Sequence, residues 1–256
     1  MSEDFDWKGY VLETRYKHLM HFATYADRHK EPTLSNYKCL EAEFPNIMSV
    51  SMTLVDLGQR EAIQGAINTL DSYLYFQGLW KEHQQLLELG IEAAQIAGNR
   101  EDEASCLGLM GSLLISLGQF EDAISYLRQS LDLSNEVENR KLEIAQLGNL
   151  GIAYRNIGDI KKSISHYEES LKIAREIKDE KSEATQLINL GNVQLGLGNP
   201  NCAIKYYEEG QLISKKIGDS RNIGLCLGSL GLIYQSAGQT QKSIEYFEQA
   251  LCIEPI

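Results

Sequence analysis

Apolar residues along this chain recur three and four positions apart, and over much of its length that pattern is itself repeated. In one stretch Leu147, Leu150 and Tyr154 are followed, beyond Gly158-Asp159, by Ile164, Tyr167, Leu171 and Ala174. Such spacing gives each segment a single apolar helical face, and the Gly-Asp step interrupts the period, so two helices joined by a tight turn are predicted. Closely similar segments start at Leu107, Leu147, Leu187 and Leu227, a constant 40 residues apart. Gly111, Gly151, Gly191 and Gly231 keep the phase, as do Gly118, Gly158, Gly198 and Gly238, and Ile124, Ile164, Ile204 and Ile244. Four copies in register predict a tandem array of helical hairpins in place of one globular core.

The expected organisation is an N-terminal helical segment over 1–60 and an array over 61–256, with hairpins at 61–98, 104–138, 144–178, 184–218 and 224–253. The first hairpin is degenerate: Ile67, Leu70, Gly78, Leu87 and Ile91 are in phase, but Asp71 stands where the other copies have glycine. Upstream, residues 6–57 read as two or three helices, with Trp7, Val11, Tyr16, Leu19, Phe22 and Tyr25 as one apolar stripe and Pro45 kinking or starting another. The second glycine of each copy supplies the left-handed conformation that ends the first helix, helix A. The earlier glycine lies mid-helix, where it costs about 1 kcal/mol against alanine, and close helix packing is the expected compensation. Asn99, Asn139, Asp179 and Asp219 recur at the outer turns, where a helix-terminating or N-capping residue is wanted, and Asn199-Pro200 reads as a cap followed by proline in the first turn.

Leu147, Leu150, Gly151 and Tyr154, then Ala203 with Tyr207 and Ser243 with Phe247, resemble the tetratricopeptide repeat pattern of Leu-Gly-x2-Tyr followed by Ala-x3-aromatic. Only the last copy carries the family's proline, Pro255; Asn135, Arg175 and Lys215 stand there in the others, so helix B is expected to run on. The longer period resembles the repeats of kinesin light chains and spindle-orientation adaptors. The stretches LEAEFPNIMSVSMTLVDLGQ and YFQGLWKEHQQLLELGIEAA resemble the beginning of the helical sensor region of bacterial STAND-class signalling ATPases, a likeness running from about Tyr10 onward.

The resemblance implies an all-α fold, a right-handed α-α superhelix, whose A helices line a concave groove that binds a peptide or partner protein without catalysis. Gly148, Asn149, Ile152, Arg155, Ile188, Asn189, Asn192 and Gln235 are the candidate contacts, with Gly108, Ser112, Leu195, Gly228 and Leu232 on the same helices. Chaperone-binding members hold a terminal carboxylate with lysine and asparagine from this surface. Glycine, isoleucine, serine and leucine occupy most of those places here, so no such clamp is expected. Asn149 and Asn189 match the asparagine that longer-repeat members use against a peptide backbone, although such asparagines also bond neighbouring turns. The STAND likeness implies a second role, as the sensor part of a multidomain switch.

Composition narrows the partners. The chain has 24 Lys and Arg against 36 Asp and Glu, a net charge of −12, which repels phosphate backbones and anionic headgroups. Protein is therefore the expected partner, not nucleic acid or membrane. Cys39, Cys106, Cys202, Cys226 and Cys252 show no CxxC pairing and no histidine at zinc-ligand spacing, which fits a reducing cytoplasm. No apolar run approaches the roughly 20 residues that span a bilayer. There is no GxxxxGK[ST] loop, glycine pairs such as Gly108 and Gly111 have no strand before them, and His18 and His21 have no third ligand at helical spacing. No catalytic constellation, metal site or cofactor is expected. Glu168, Glu169, Lys172 and Arg175 read as solvated charge on helix B. The last repeat has nothing beyond it to cover Leu227, Leu230 and Tyr234, so the expectation is either that a second copy caps that end or that the chain is a fragment of something longer.

Overall fold

The computed structural model describes residues 60–253 and the single position Glu41. The helices predicted over 6–57, His18, His21, Cys39, Pro45 and Pro255 lie outside the described residues. Those residues form ten helices and no strand. They are α1 (Arg60–Gln77), α2 (Trp80–Ala97), α3 (Arg100–Ser116), α4 (Phe120–Glu136), α5 (Arg140–Asn156), α6 (Ile160–Ile177), α7 (Glu180–Gly196), α8 (Pro200–Ile217), α9 (Ser220–Ser236) and α10 (Thr240–Leu251). The fold of the described residues is all-α, a tandem array of helical hairpins. The chain forms two compact units, Met1–Leu117 and Gly118–Ile256.

In the first unit α1 packs on α2 and α2 on α3. Here Gly90 lets the helices approach closely: a Cβ would lie 2.2 Å from Ile67 Cδ1 and 2.9 Å from Cys106 Sγ, so those side chains would have to shift. In the second unit each helix packs on the next, and α7 also touches α5 and α9, so A helices stack directly on A helices.

The local chemistry explains the breaks between helices. Gly158, Gly198 and Gly238 have φ of +84°, +78° and +72°, the left-handed turn that only glycine adopts without strain. Asn99, Asn139, Asp179 and Asp219 are N-caps, and each side chain accepts a hydrogen bond from the backbone N–H three residues on. Asn199 holds the cap position before Pro200 but makes no such bond; its Nδ2 donates to Gln194 Oε1 at 3.1 Å. Proline at the first helical position has no N–H to satisfy, so little is lost.

The mid-helix glycines are compensated by packing. A Cβ would stand 2.4 Å from Tyr167 Cε1 at Gly151, 2.8 Å from Tyr207 Cε1 at Gly191 and 2.7 Å from Phe247 Cε1 at Gly231. α6, α8 and α10 thus each lay an aromatic ring on the bare backbone of the preceding A helix, and the Tyr167 and Tyr207 rings are fully buried. Ser163 Oγ donates to the Gly151 carbonyl at 2.8 Å across the hairpin, and Ser170 Oγ to that of Ile144 at 2.9 Å. With arginine and lysine where the family has proline, α6 and α8 run through positions 175 and 215 to 18 residues each. Arg175 is more than solvated charge: it pairs with Glu183 of α7 at 2.7 Å and Glu209 of α8 at 2.6 Å, joining successive hairpins.

Candidate protein-binding face

Burial decides which A-helix residues a partner can reach. On α5 the positions that stay open or half-open at one helical phase are Lys141, Ala145, Asn149, Ile152 and Asn156. The same phase on α7 holds Lys181, Thr185, Asn189, Asn192 and Gly196, and on α9 Arg221, Leu225, Ser229, Leu232 and Ser236. Steps of three and four residues keep each set on one stripe, and contact between α5, α7 and α9 sets the three stripes side by side.

The candidate residues divide on this geometry. Asn149, Ile152, Asn189 and Asn192 lie on the stripe, half-buried. Gly148 does not: it is buried beneath Gln186 of α7, whose Nε2 a Cβ would approach to 3.0 Å. Ile188 is 5% exposed and belongs to the core with Ala203, Tyr207, Cys226, Leu230 and Ile233. Arg155, half-buried, and Gln235, exposed, flank the stripe one residue off its phase. The stripe also holds Leu225 and Leu232, 50% and 54% exposed. Leu225 was legible only as one more leucine, because the helical period marks a face without saying whether a neighbour covers it.

The polar groups differ in how far the fold uses them. Asn189 Nδ2 donates to Gln186 Oε1 at 3.2 Å, a partner on its own helix. Asn192 Oδ1 accepts from the Tyr207 hydroxyl at 2.7 Å. One repeat earlier Ile152 occupies the position of Asn192, and the buried Tyr167 hydroxyl has no hydrogen-bond partner. Burial pushes both phenols above their ordinary pKa, with the Arg155 cation pulling the other way. Near α9 an apolar hollow of about 530 Å³ is lined by Leu195, Pro200, Ile204, Leu232, Tyr234 and Ala237, among others.

Little here resembles reaction chemistry. Burial pushes the Cys106 and Cys226 thiols up to about 12, so neither is a thiolate near neutral pH. Among the described residues no three His, Cys, Asp or Glu side chains converge as metal ligands, and no helix is long and apolar enough to cross a membrane.

Tetratricopeptide repeat family models match residues 104–136, 142–211 and 187–253, together more than half of the chain. The chain is a tetratricopeptide repeat protein. No curated protein matches it closely. Solved structures share the tetratricopeptide fold at low identity. BtubC from P. vanneervenii superposes with a TM-score of 0.67 at 17% identity, over 80% of this chain and 89% of that one. A Rap protein complexed with competence and sporulation factor gives 0.67 at 15% identity, over 94% and 74%. A signal transduction ATPase with numerous domains and a tetratricopeptide repeat sensor, from Pyrococcus horikoshii, gives 0.63 at 17% identity, over 93% of this chain but 39% of that one. Tetratricopeptide arrays are protein-interaction scaffolds.

Proposed function

We propose that this protein is a non-catalytic binding module that takes a segment of another protein along the A-helix stripe of its second unit. The observation that carries the reading is the half-exposure of Leu225 and Leu232 on a face whose other members are three cations, the half-buried Ile152, amides, hydroxyls and small residues. Apolar area left in water returns roughly 25 cal/mol per Å² when a partner covers it. Asn149 and Asn189 stand one repeat apart on A helices that pack about 8 to 10 Å from each other, the reach of three extended residues at roughly 3.3 Å each. Their amides bond the backbone of the bound segment while Ile152, Leu225 and Leu232 take its apolar side chains. The Rap protein of similar fold, solved with competence and sporulation factor, supports ligand capture by an array of this kind. We place the protein in the reducing cytoplasm, which suits its free thiols.

The test uses peptides selected on the purified protein from a random twelve-residue phage library. Leu232→Asp and the double variant Asn149→Ala with Asn189→Ala should each weaken the selected peptides by roughly 5- to 150-fold, while Tm moves by only a few degrees. Normal binding by both folded variants would move the site off this face; unfolding of the double variant would make the asparagines structural.

The likeness to the STAND sensor over 93% of this chain favours a second reading, in which the array reports ligand binding to an effector. A natural chain or neighbouring gene carrying a nucleotide-binding domain would favour it. Self-association is the remaining proposal. Leu227 and Leu230, expected to lie uncovered, are buried at 2% and 0% exposed; the apolar surface at that end is Leu251 and Ile244 of α10, 85% and 44% exposed, on a helix that packs chiefly on α9. A monomer by light scattering at high concentration would refute it.

A further inference from the structure

The A-helix stripe of the second unit begins, on every helix, with a cation. Lys141, Lys181 and Arg221 each occupy the second position of α5, α7 and α9, 40 residues apart, and all three are exposed. No stripe position on these helices carries a carboxylate, in a chain with 36 acidic residues against 24 basic ones. The first turn of a helix carries partial positive charge and favours acids over bases. The nearby carboxylates are committed elsewhere: Glu143 to Arg140, Glu180 to Lys216 and Glu183 to Arg175. Asp179 and Asp219 accept the cap N–H groups of Ser182 and Asn222. Among the described residues no ion pair includes Lys141, Lys181 or Arg221.

The row also borders a cleft. Lys181 and Arg221 line one hollow of about 740 Å³ with Thr185, Leu225, Asn222 and Asp219. Asn222 Nδ2 donates to Thr185 Oγ1 at 3.2 Å and ties α9 to α7 at its floor. Cation and open leucine therefore face the same space.

We infer that the row of Lys141, Lys181 and Arg221 selects an acidic, apolar protein segment lying across the A helices, a specificity that rests on the binding role proposed above. Neighbouring A helices stand about 8 to 10 Å apart. A polyproline II segment returns to the same side every three residues, roughly 9 Å further on. Carboxylates at every third position of such a segment meet successive cations, and an apolar residue beside the last of them reaches Leu225, about 6 Å along α9 from Arg221 and in the same hollow. A nucleic acid fits less well, because its phosphates have no use for open leucines and meet the field of a chain with net charge −12.

The experiment is the phage selection of random twelve-residue peptides, followed by titration of the enriched peptides into the wild-type protein and the Lys141→Gln, Lys181→Gln, Arg221→Gln triple variant. All three sites are exposed and unpaired, so the variant folds as the parent does, checked by its melting curve. The expected result is enrichment of peptides rich in Asp and Glu with interspersed Leu, Ile or Phe. Their affinity should fall about tenfold in the triple variant, and by a similar factor when salt rises from 0.05 to 0.5 M. Three outcomes overturn the inference: enriched peptides with no acidic excess, equal affinity for the triple variant, or displacement by an equal concentration of single-stranded oligothymidylate. Should the enriched peptides ignore the triple variant yet fail on Leu232→Asp, the cation row falls and the binding face stands. If they ignore both, the face itself falls.

Discussion

The hairpins of the second unit and the first hairpin, α1–α2, solve one packing problem in two ways. In α5–α6, Gly151 presents bare backbone to Ser163 twelve residues on and to the Tyr167 ring sixteen residues on. The same steps from Asp71 reach His83 and Leu87. There the contact is polar: His83 Nε2 lies 2.9 Å from Asp71 Oδ1, with His83 only 3% exposed and its Nδ1 without a partner. Close approach of two helices can thus be fixed by the absence of a side chain or by a hydrogen-bonded pair. The first needs a neighbour of fixed shape; the second needs both polar partners at once.

Replacing the glycine should have the largest effect. Gly151→Ala places a methyl 2.4 Å from a fully buried ring, so the hairpin must splay or the ring must move. A loss of about 3 kcal/mol, the upper end for overpacking, is expected in urea or thermal unfolding. Gly151→Ala combined with Tyr167→Leu should recover part of it. A Tm unchanged by Gly151→Ala alone would mean that the ring does not rest on the backbone as described.

In the first hairpin the polar pair is the target. Asp71→Gly restores the residue of the other copies yet strands a buried imidazole, at a cost of about 1 to 3 kcal/mol. Asp71→Gly with His83→Ser reproduces the composition of α5–α6 at those two positions and should regain most of the loss. A double-mutant cycle showing no coupling would reduce Asp71 and His83 to independent residues.

Helix caps should respond less. Asp179→Ala deletes a cap bond to the Ser182 N–H at 3.1 Å and should cost about 1 kcal/mol, whereas Asn199→Ala, whose side chain caps nothing, should cost well under half of that. Equal melting temperatures for the two variants would sink the distinction between them.

The smallest effect concerns two copies of one aromatic stack. His166 stacks on Tyr154 at 5.3 Å, where burial holds its pKa below the ordinary imidazole value, helped by the Arg128 and Lys162 cations and opposed by Glu169 and Asp159. The corresponding ring, Tyr246, stacks on Tyr234 at 5.3 Å and takes up no proton in acid. With its folded pKa depressed, neutral His166 binds fewer protons than the unfolded chain. Its contribution is present above about pH 6.5 and is lost as pH falls from there through the folded value. His166→Tyr should therefore lower the Tm difference between pH 7.5 and pH 5.5; an unchanged difference would show that His166 does not contribute to it.

Much of this architecture is legible in the sequence, because it rests on local chemistry. The constant period, the helical spacing of the apolar residues, the left-handed turns at Gly158, Gly198 and Gly238 and the caps at Asn139, Asp179 and Asp219 each depend on a few adjacent residues. Which A-helix residues lie open does not. Gly148 and Asn149 are neighbours on one helix, and Ile188 and Asn189 on the next; the period sets each pair about 100° apart but does not say which of the two another helix covers. The tertiary structure separates them, since the Gln186 amide rests on Gly148 and α8 and α9 close over Ile188. Asn192 looked like any groove amide until its bond to Tyr207 appeared. Likewise Leu225, and the row of Lys141, Lys181 and Arg221, became a face only once three helices distant in sequence stood side by side, because exposure and pairing are properties of neighbours and not of a residue's own segment.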